Sequence, residues 1–170
     1  MPNMTAAARL YDQFYRLMGA LVCALIAFIA LIISLDVVMR NTGLGTIPWM
    51  LEVSEYAQFL ATFLGAPWVL KHGAHVRVDV LVANLPARTG RALELLADVV
   101  GLFVSVVILW YTLVIATTSA HDGAKIIKIL IIPEWWVFAI VAVSAFHLIV
   151  EFICRMWRAR ETVAPSDIAI

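Results

Sequence analysis

The sequence predicts an all-α integral membrane protein, with four transmembrane helices, short interfacial amphipathic helices and both termini cytoplasmic. Three observations predict it. Of 170 residues, 64% are hydrophobic and only 14% charged, with a mean hydropathy of +0.96, whereas a soluble domain carries about 25% charged residues. The apolar residues fall into four runs, three of them close to the ~20 residues that a spanning helix needs. The basic residues alternate in density between the segments that separate those runs. The length fits one domain, 1–170.

The expected spans are residues 17–38, 52–70, 93–117 and 134–153, with a polar cytoplasmic tail at 158–170. The first run is longer than the ~7–15 apolar residues of a signal-peptide core. It continues into Asp36 and Arg40 with no A-x-A cleavage pattern, so a retained helix is expected. The second run keeps its acids, Glu52 and Glu55, at its start. The third has Glu94 and Asp98 near its start and is then uncharged, and the fourth is uncharged until Glu151. Breakers mark the boundaries: Thr42-Gly43-Leu44-Gly45 with Pro48, then Pro86, then Pro133. Pro67 falls inside the second span, where it removes a backbone hydrogen bond and is expected to bend the helix.

Lysine and arginine in short loops set orientation. Arg9, Arg16, Lys71, Arg77, Arg88, Arg91, Arg155, Arg158 and Arg160 fall on one side of a four-span fold, against Arg40, Lys125 and Lys128 on the other. Both termini are therefore expected in the cytoplasm. Trp49, Trp135 and Trp136 then lie at the outer interface, and Trp68 and Trp157 at the inner one. Two segments are expected along the membrane surface. Tyr11, Phe14, Tyr15 and Met18 make one apolar face, and Val78, Leu81, Val82 and Leu85 another. The apolar loop 126–132 is expected to pack on the membrane or on another subunit.

Few residues point to chemistry. Glu52 and Glu55 share a helix face, and Asp36 and Arg40 are spaced to pair. A carboxylate–arginine cluster bridging the first two spans is expected. Ionisable groups within a span suggest ion or proton binding. At the membrane edge, a salt-bridge network that locks helices or docks a partner is favoured. His147 is the sole histidine within a span, and His72, His75 and His121 fall in loops. Haem between helices would lack a second axial ligand, so His147 is expected to hydrogen-bond across the bundle or to another subunit. Cys23 and Cys154 read as apolar packing residues, since neither a CxxC pair nor a Cys/His cluster occurs. Gly65 and Ala66 offer a small surface for close helix contact. Nucleophile elbows, phosphate loops and metal-ligand spacings are missing from the sequence, and no enzyme activity, cofactor or nucleic-acid partner is expected.

The ordered motifs are more specific together than apart. Arg40-Asn41 follows the first span, then come Trp49, Glu52-Val53-Ser54-Glu55 and Phe63-Leu64-Gly65-Ala66. Gly73-Ala74-His75-Val76-Arg77-Val78-Asp79, Leu85-Pro86 and Ile132-Pro133-Glu134-Trp135 follow. In order and spacing they resemble the DctQ-type small membrane subunit of tripartite ATP-independent periplasmic (TRAP) transporters, over most of the chain. Two departures stand out. Leu51 precedes Glu52 where many members have adjacent acids, and Val141-Ala142-Val143 stands where many have a proline.

The resemblance implies a multi-pass subunit of the bacterial inner membrane, serving sodium-driven import of an organic acid, often a carboxylate. Its implied partners are a large elevator-type membrane subunit, which carries substrate and sodium, a periplasmic substrate-binding protein, and membrane lipids. The small subunit is implied to brace the large one and help dock the periplasmic protein. Arg40, Trp49, Glu52, Glu55, Gly65, His75, Arg77, Asp79 and Trp135 are the expected partner- or lipid-facing residues. Two other readings stand beside it. One is an independent oligomeric four-helix transporter, which would need a deep charge in a span. The other is a membrane anchor of a redox complex, for which His147 is the sole support.

Overall fold

The computed structural model describes residues 6–72 and 87–161. Four helices carry the chain: α1 (Ala6–Asn41), α2 (Pro48–Lys71), α3 (Ala87–Asp122) and α4 (Glu134–Glu161). Between α3 and α4 lies a short antiparallel hairpin, β1 (Lys125–Ile127) and β2 (Ile131–Pro133), with Ile126 opposite Ile132. The hairpin is a departure from the all-helical expectation. Three segments are long and apolar enough to cross a membrane, Tyr11–Asn41, Ala92–Asp122 and Glu134–Arg158. The protein is thus a helical, multi-pass membrane protein. The α2 helix is not among these three; Glu52, Glu55, Gln58, Thr62 and Pro67 fall within it.

The ends of the helices follow local chemistry. Pro48 occupies the first turn of α2, where its missing N–H costs nothing, and Ile47 before it is extended. Both α1 and α3 end on a glycine at positive φ, Gly43 (74°) and Gly123 (64°). The next amide then reaches back to a carbonyl of the last turn, Leu44 N–H to Met39 at 3.0 Å and Ala124 N–H to Ser119 at 3.1 Å. The α1 helix starts well before the apolar run. The segment bearing Tyr11, Tyr15 and Met18, expected to lie flat on the membrane, is instead continuous with α1. Its aromatic face is used for packing: Tyr15 and Met18 are buried, while Phe14 stays exposed. The α4 helix likewise continues past residue 158 into the expected polar tail. The second expected surface segment, Val78 to Leu85, lies outside the described residues.

In the array α1 packs on α2, α2 on α4 and α4 on α3. Two sides of the α2 helix therefore meet helices rather than lipid. Its stripe of Ala57, Ala61 and Gly65 repeats a small residue every four positions and is buried, with Gly65 turned toward Val22 of α1. By contrast, only 6% of the apolar segments of α1 and of α3 is buried, against 28% of α4. Leu17, Leu31, Phe103 and Trp110 are among the exposed side chains. In a membrane, such faces meet acyl chains or another subunit.

Pro67 does not interrupt α2. As expected, it deprives the Phe63 carbonyl, four residues back, of its N–H partner. The fully buried Ser144 hydroxyl of α4 donates to that carbonyl instead. Away from water an unsatisfied carbonyl is costly, and a serine from a neighbouring helix is a known remedy. Ser144→Ala is expected to destabilise the fold by about 1–3 kcal/mol. Adding Pro67→Ala should recover most of the loss by restoring the amide donor, and thermal unfolding in detergent of the single and double variants checks both.

Two glycines differ in what they tolerate. A Cβ at Gly19 of α1 would overlap the Trp68 indole of α2, whereas at Gly65 it would meet Val22 at 3.6 Å, an ordinary contact. Gly19→Ala is expected to cost about 1–3 kcal/mol through overpacking. Gly65→Ala should be neutral or stabilising by about 0.5–1 kcal/mol, from the gain in helix propensity. Equal melting temperatures for the two variants would contradict this assignment.

Candidate docking sites at the two ends of the array

At the end where α1 runs into α2, two acids grip the hairpin. Glu52 is only 8% exposed. Its carboxylate accepts the backbone N–H of Ile129 at 2.8 Å and that of Leu130 at 2.7 Å. One helix turn on, Glu55 accepts from the Lys128 ammonium at 2.6 Å. That hydrogen bond holds Lys128 above the ordinary lysine range. A raised lysine pKa contributes stability fully below the unfolded value and loses it only as pH rises through the folded one. On the lysine side the latch is therefore complete around neutrality. The base of the hairpin is closed by Glu134 N–H to the Ala124 carbonyl at 3.1 Å and by the Ser119 hydroxyl to Glu134 at 2.9 Å.

The result is a fixed apolar tip. The cross-strand pair Ile127 and Ile131 is 81% and 64% exposed, and Ile129 at the turn 59%. Trp135 and Trp136 stand beside it with their rings edge to face, 6.0 Å apart, and Trp49 is exposed at the start of α2. The expected cluster joining Arg40 to these acids does not form. Arg40 pairs with Asp36 of its own helix at 3.0 Å, and Glu52 and Glu55 turn to the hairpin instead. An i,i+4 partner is always within reach of an arginine, while the hairpin amides offer the acids fixed donors. Gly65 lies in the packed interior against Val22 rather than on an outer surface. His75, Arg77 and Asp79 fall outside the described residues.

The opposite end holds a cluster that no sequence motif marked. Glu151 of α4 is fully buried, accepting from the Tyr11 hydroxyl of α1 and from Arg158 at 2.6 Å. Lys71 at the end of α2 pairs with Asp12 at 2.7 Å, its ammonium 4.2 Å and 4.4 Å from the ring centres of Tyr11 and Tyr15. Asp98 of α3 pairs with Arg155 of α4 at 3.3 Å. All four helices are thus tied at this end by charge, where lipid offers no hydrophobic drive between helices. The spacing of Glu151 and Arg158, two helical turns apart on one face, was the available signal.

The hydrogen bond of His147 stays within its own helix. Its Nδ1 meets the Val143 carbonyl of its own helix at 2.7 Å, and its ring stacks on Phe14 of α1 at 5.2 Å. Cys23 and Cys154 are unpaired. Among the described residues no three His, Cys, Asp or Glu side chains converge as a metal-holding group.

A family model described as the DctQ component of tripartite ATP-independent periplasmic transporters matches residues 29–162. The chain belongs to the DctQ family. The match spans α2, α3, the hairpin, all of α4 and the second part of α1. Both ends of the array therefore contribute residues to it: Glu52, Glu55 and Lys128 at one, Lys71, Asp98 and Glu151 at the other. Tyr11, Asp12 and Tyr15 precede the matched region, so this DctQ chain completes its second cluster with residues outside it. No curated protein matches the chain. The family is one of transporter components, and its name places this DctQ protein within a tripartite system.

Proposed function

We propose that this chain is the small, non-catalytic permease subunit of a TRAP transporter. In this reading all four helices span the inner membrane of a bacterium, with α2 as the fourth span and both chain ends in the cytoplasm. The large membrane subunit moves the substrate, an organic acid of the carboxylate class, and couples it to sodium. A periplasmic protein delivers the substrate. The small subunit braces the fixed part of the large one and presents the hairpin tip to its partners.

The family match carries this reading, and the placement of charge supports it. The stretches 17–35, 56–70, 99–120 and 135–150 contain no Asp, Glu, Lys or Arg, so the ionisable side chains gather at the two ends. An ion pathway within a bundle normally needs such groups at depth. The positive-inside bias sets the proposed orientation, because the lysines and arginines concentrate at the end where α1 begins and α4 finishes.

Co-expression of the affinity-tagged chain with the large permease of its system tests the scaffold role. The two should co-elute in a fixed ratio after detergent extraction. Elution of this chain alone, or as a homo-oligomer that excludes the permease, would contradict it.

A further inference from the structure

Two spaces of opposite character follow one seam along α2, a cavity between α1 and α2 and a cleft walled mostly by α2, α3 and α4. One is a polar cavity of about 210 Å³ lined by Asp12, Tyr15, Arg16, Lys71 and His72. The other is an apolar cleft of about 650 Å³ whose walls include Val22, Ala61, Gly65, Val69, Gly101 and Phe152. They share one line along the helices. On α2, Ala61, Gly65 and Val69 of the cleft and His72 of the cavity fall on successive turns of one face. On α1, Tyr15 of the cavity and Val22 of the cleft lie two turns apart on one face. The six residues from Arg16 to Val22 amount to about 9 Å of helix rise. Between the two spaces the Trp68 indole packs over Gly19. An indole at such a polar–apolar boundary is characteristic of the headgroup level of a membrane.

The cavity suits an anion. Arg16 and Lys71 bring two positive charges against the one carboxylate of Asp12. Lys71 is held in place by Asp12 and by the two tyrosine rings. The side chain of Arg16 is exposed, and its Nε approaches the Asp12 carbonyl at only 3.5 Å, so its guanidinium fork can take a new acceptor. Tyr15 is buried and closes one wall of the cavity, its ring under the Lys71 ammonium.

We propose that this seam binds one anionic glycerophospholipid. Its phosphate sits in the cavity against Arg16 and Lys71, and an acyl chain lies in the cleft. Basic pockets between membrane helices recognise anionic headgroups in this way. A free phosphate would leave the cleft unused, whereas a phospholipid matches both spaces and their order along the seam. Bound there, the lipid fills the opening that the array leaves between α1 and α3.

Native mass spectrometry of the delipidated full chain, titrated with dipalmitoyl phosphatidylglycerol in detergent, tests the site. One saturable adduct is expected, with glycerol phosphate binding far more weakly. Arg16→Gln should lower the affinity about tenfold, through loss of a charged hydrogen bond. Ala66→Phe, at an exposed position in the cleft wall, should weaken the lipid while sparing glycerol phosphate. Circular dichroism confirms that each variant keeps its helices. Lipid binding unchanged in Arg16→Gln and Ala66→Phe would overturn the proposal, as would glycerol phosphate binding as tightly as the lipid.

Discussion

Replacing Glu52 with alanine is expected to release the hairpin from α2. The amides of Ile129 and Leu130 would lose the carboxylate that now accepts from both. An unsatisfied buried donor costs about 1–3 kcal/mol, and these two lie near enough to water to be partly rescued, so a local loss of about 2–4 kcal/mol is expected. Glu52→Gln should fall between the parent and the alanine variant, because an amide offers one acceptor oxygen and turns an NH2 group toward the second N–H. Lys128→Ala should matter less, since that pair is half exposed and screened by water. Hydrogen–deuterium exchange at the two amides reads the effect directly. A loss of 2 kcal/mol corresponds to roughly thirtyfold faster opening. Unchanged protection in Glu52→Ala would show that the carboxylate does not hold the tip.

Arg158→Met is expected to be the most damaging single change at the opposite end. It strands the fully buried Glu151 carboxylate with the Tyr11 hydroxyl as its remaining partner among the described residues. Breaking a buried pair from one side costs about 3–5 kcal/mol. The arginine side chain is 58% exposed, so water already screens part of the interaction, and about 2–3 kcal/mol is the expected loss. For a chain of this size that lowers the melting temperature by roughly 5–10 °C. Glu151→Gln keeps an acceptor for Tyr11 and removes the charge that needs Arg158, so it should cost less. In the Glu151→Gln background, Arg158→Met should then have little further effect. A melting temperature unchanged in Arg158→Met would mean that the pair does not tie α4 to α1.

The parts legible in the sequence were those fixed by local chemistry. Each apolar run lies within a helix because a chain in lipid must satisfy its own backbone. The turn after α1 announced itself through Gly43 and Pro48, whose backbone preferences need no tertiary context. Where α1 begins was harder to read. A helix lying on the membrane and a helix entering it have the same periodicity, and only the partners of Tyr11 and Tyr15 on other elements separate the two. Residues 126–132 are uniformly apolar apart from Lys128, so they lack the alternation that signals a strand. The hairpin is set by the Glu52 and Glu55 anchors; the sequence marks the acids but not the backbone amides and lysine that they hold. Pro67 shows the division most plainly. The lost hydrogen bond followed from the residue itself, but its replacement comes from Ser144, seventy-seven positions later on another helix.

Uptake in proteoliposomes tests the central claim most directly. The large permease is reconstituted with its periplasmic binding protein and a sodium gradient, with and without this chain, and entry of radiolabelled carboxylates is followed. Uptake that requires this chain, and that falls when Glu52→Ala replaces the parent, is the predicted result. Equal uptake by the large permease alone would contradict the role of this chain as a required scaffold.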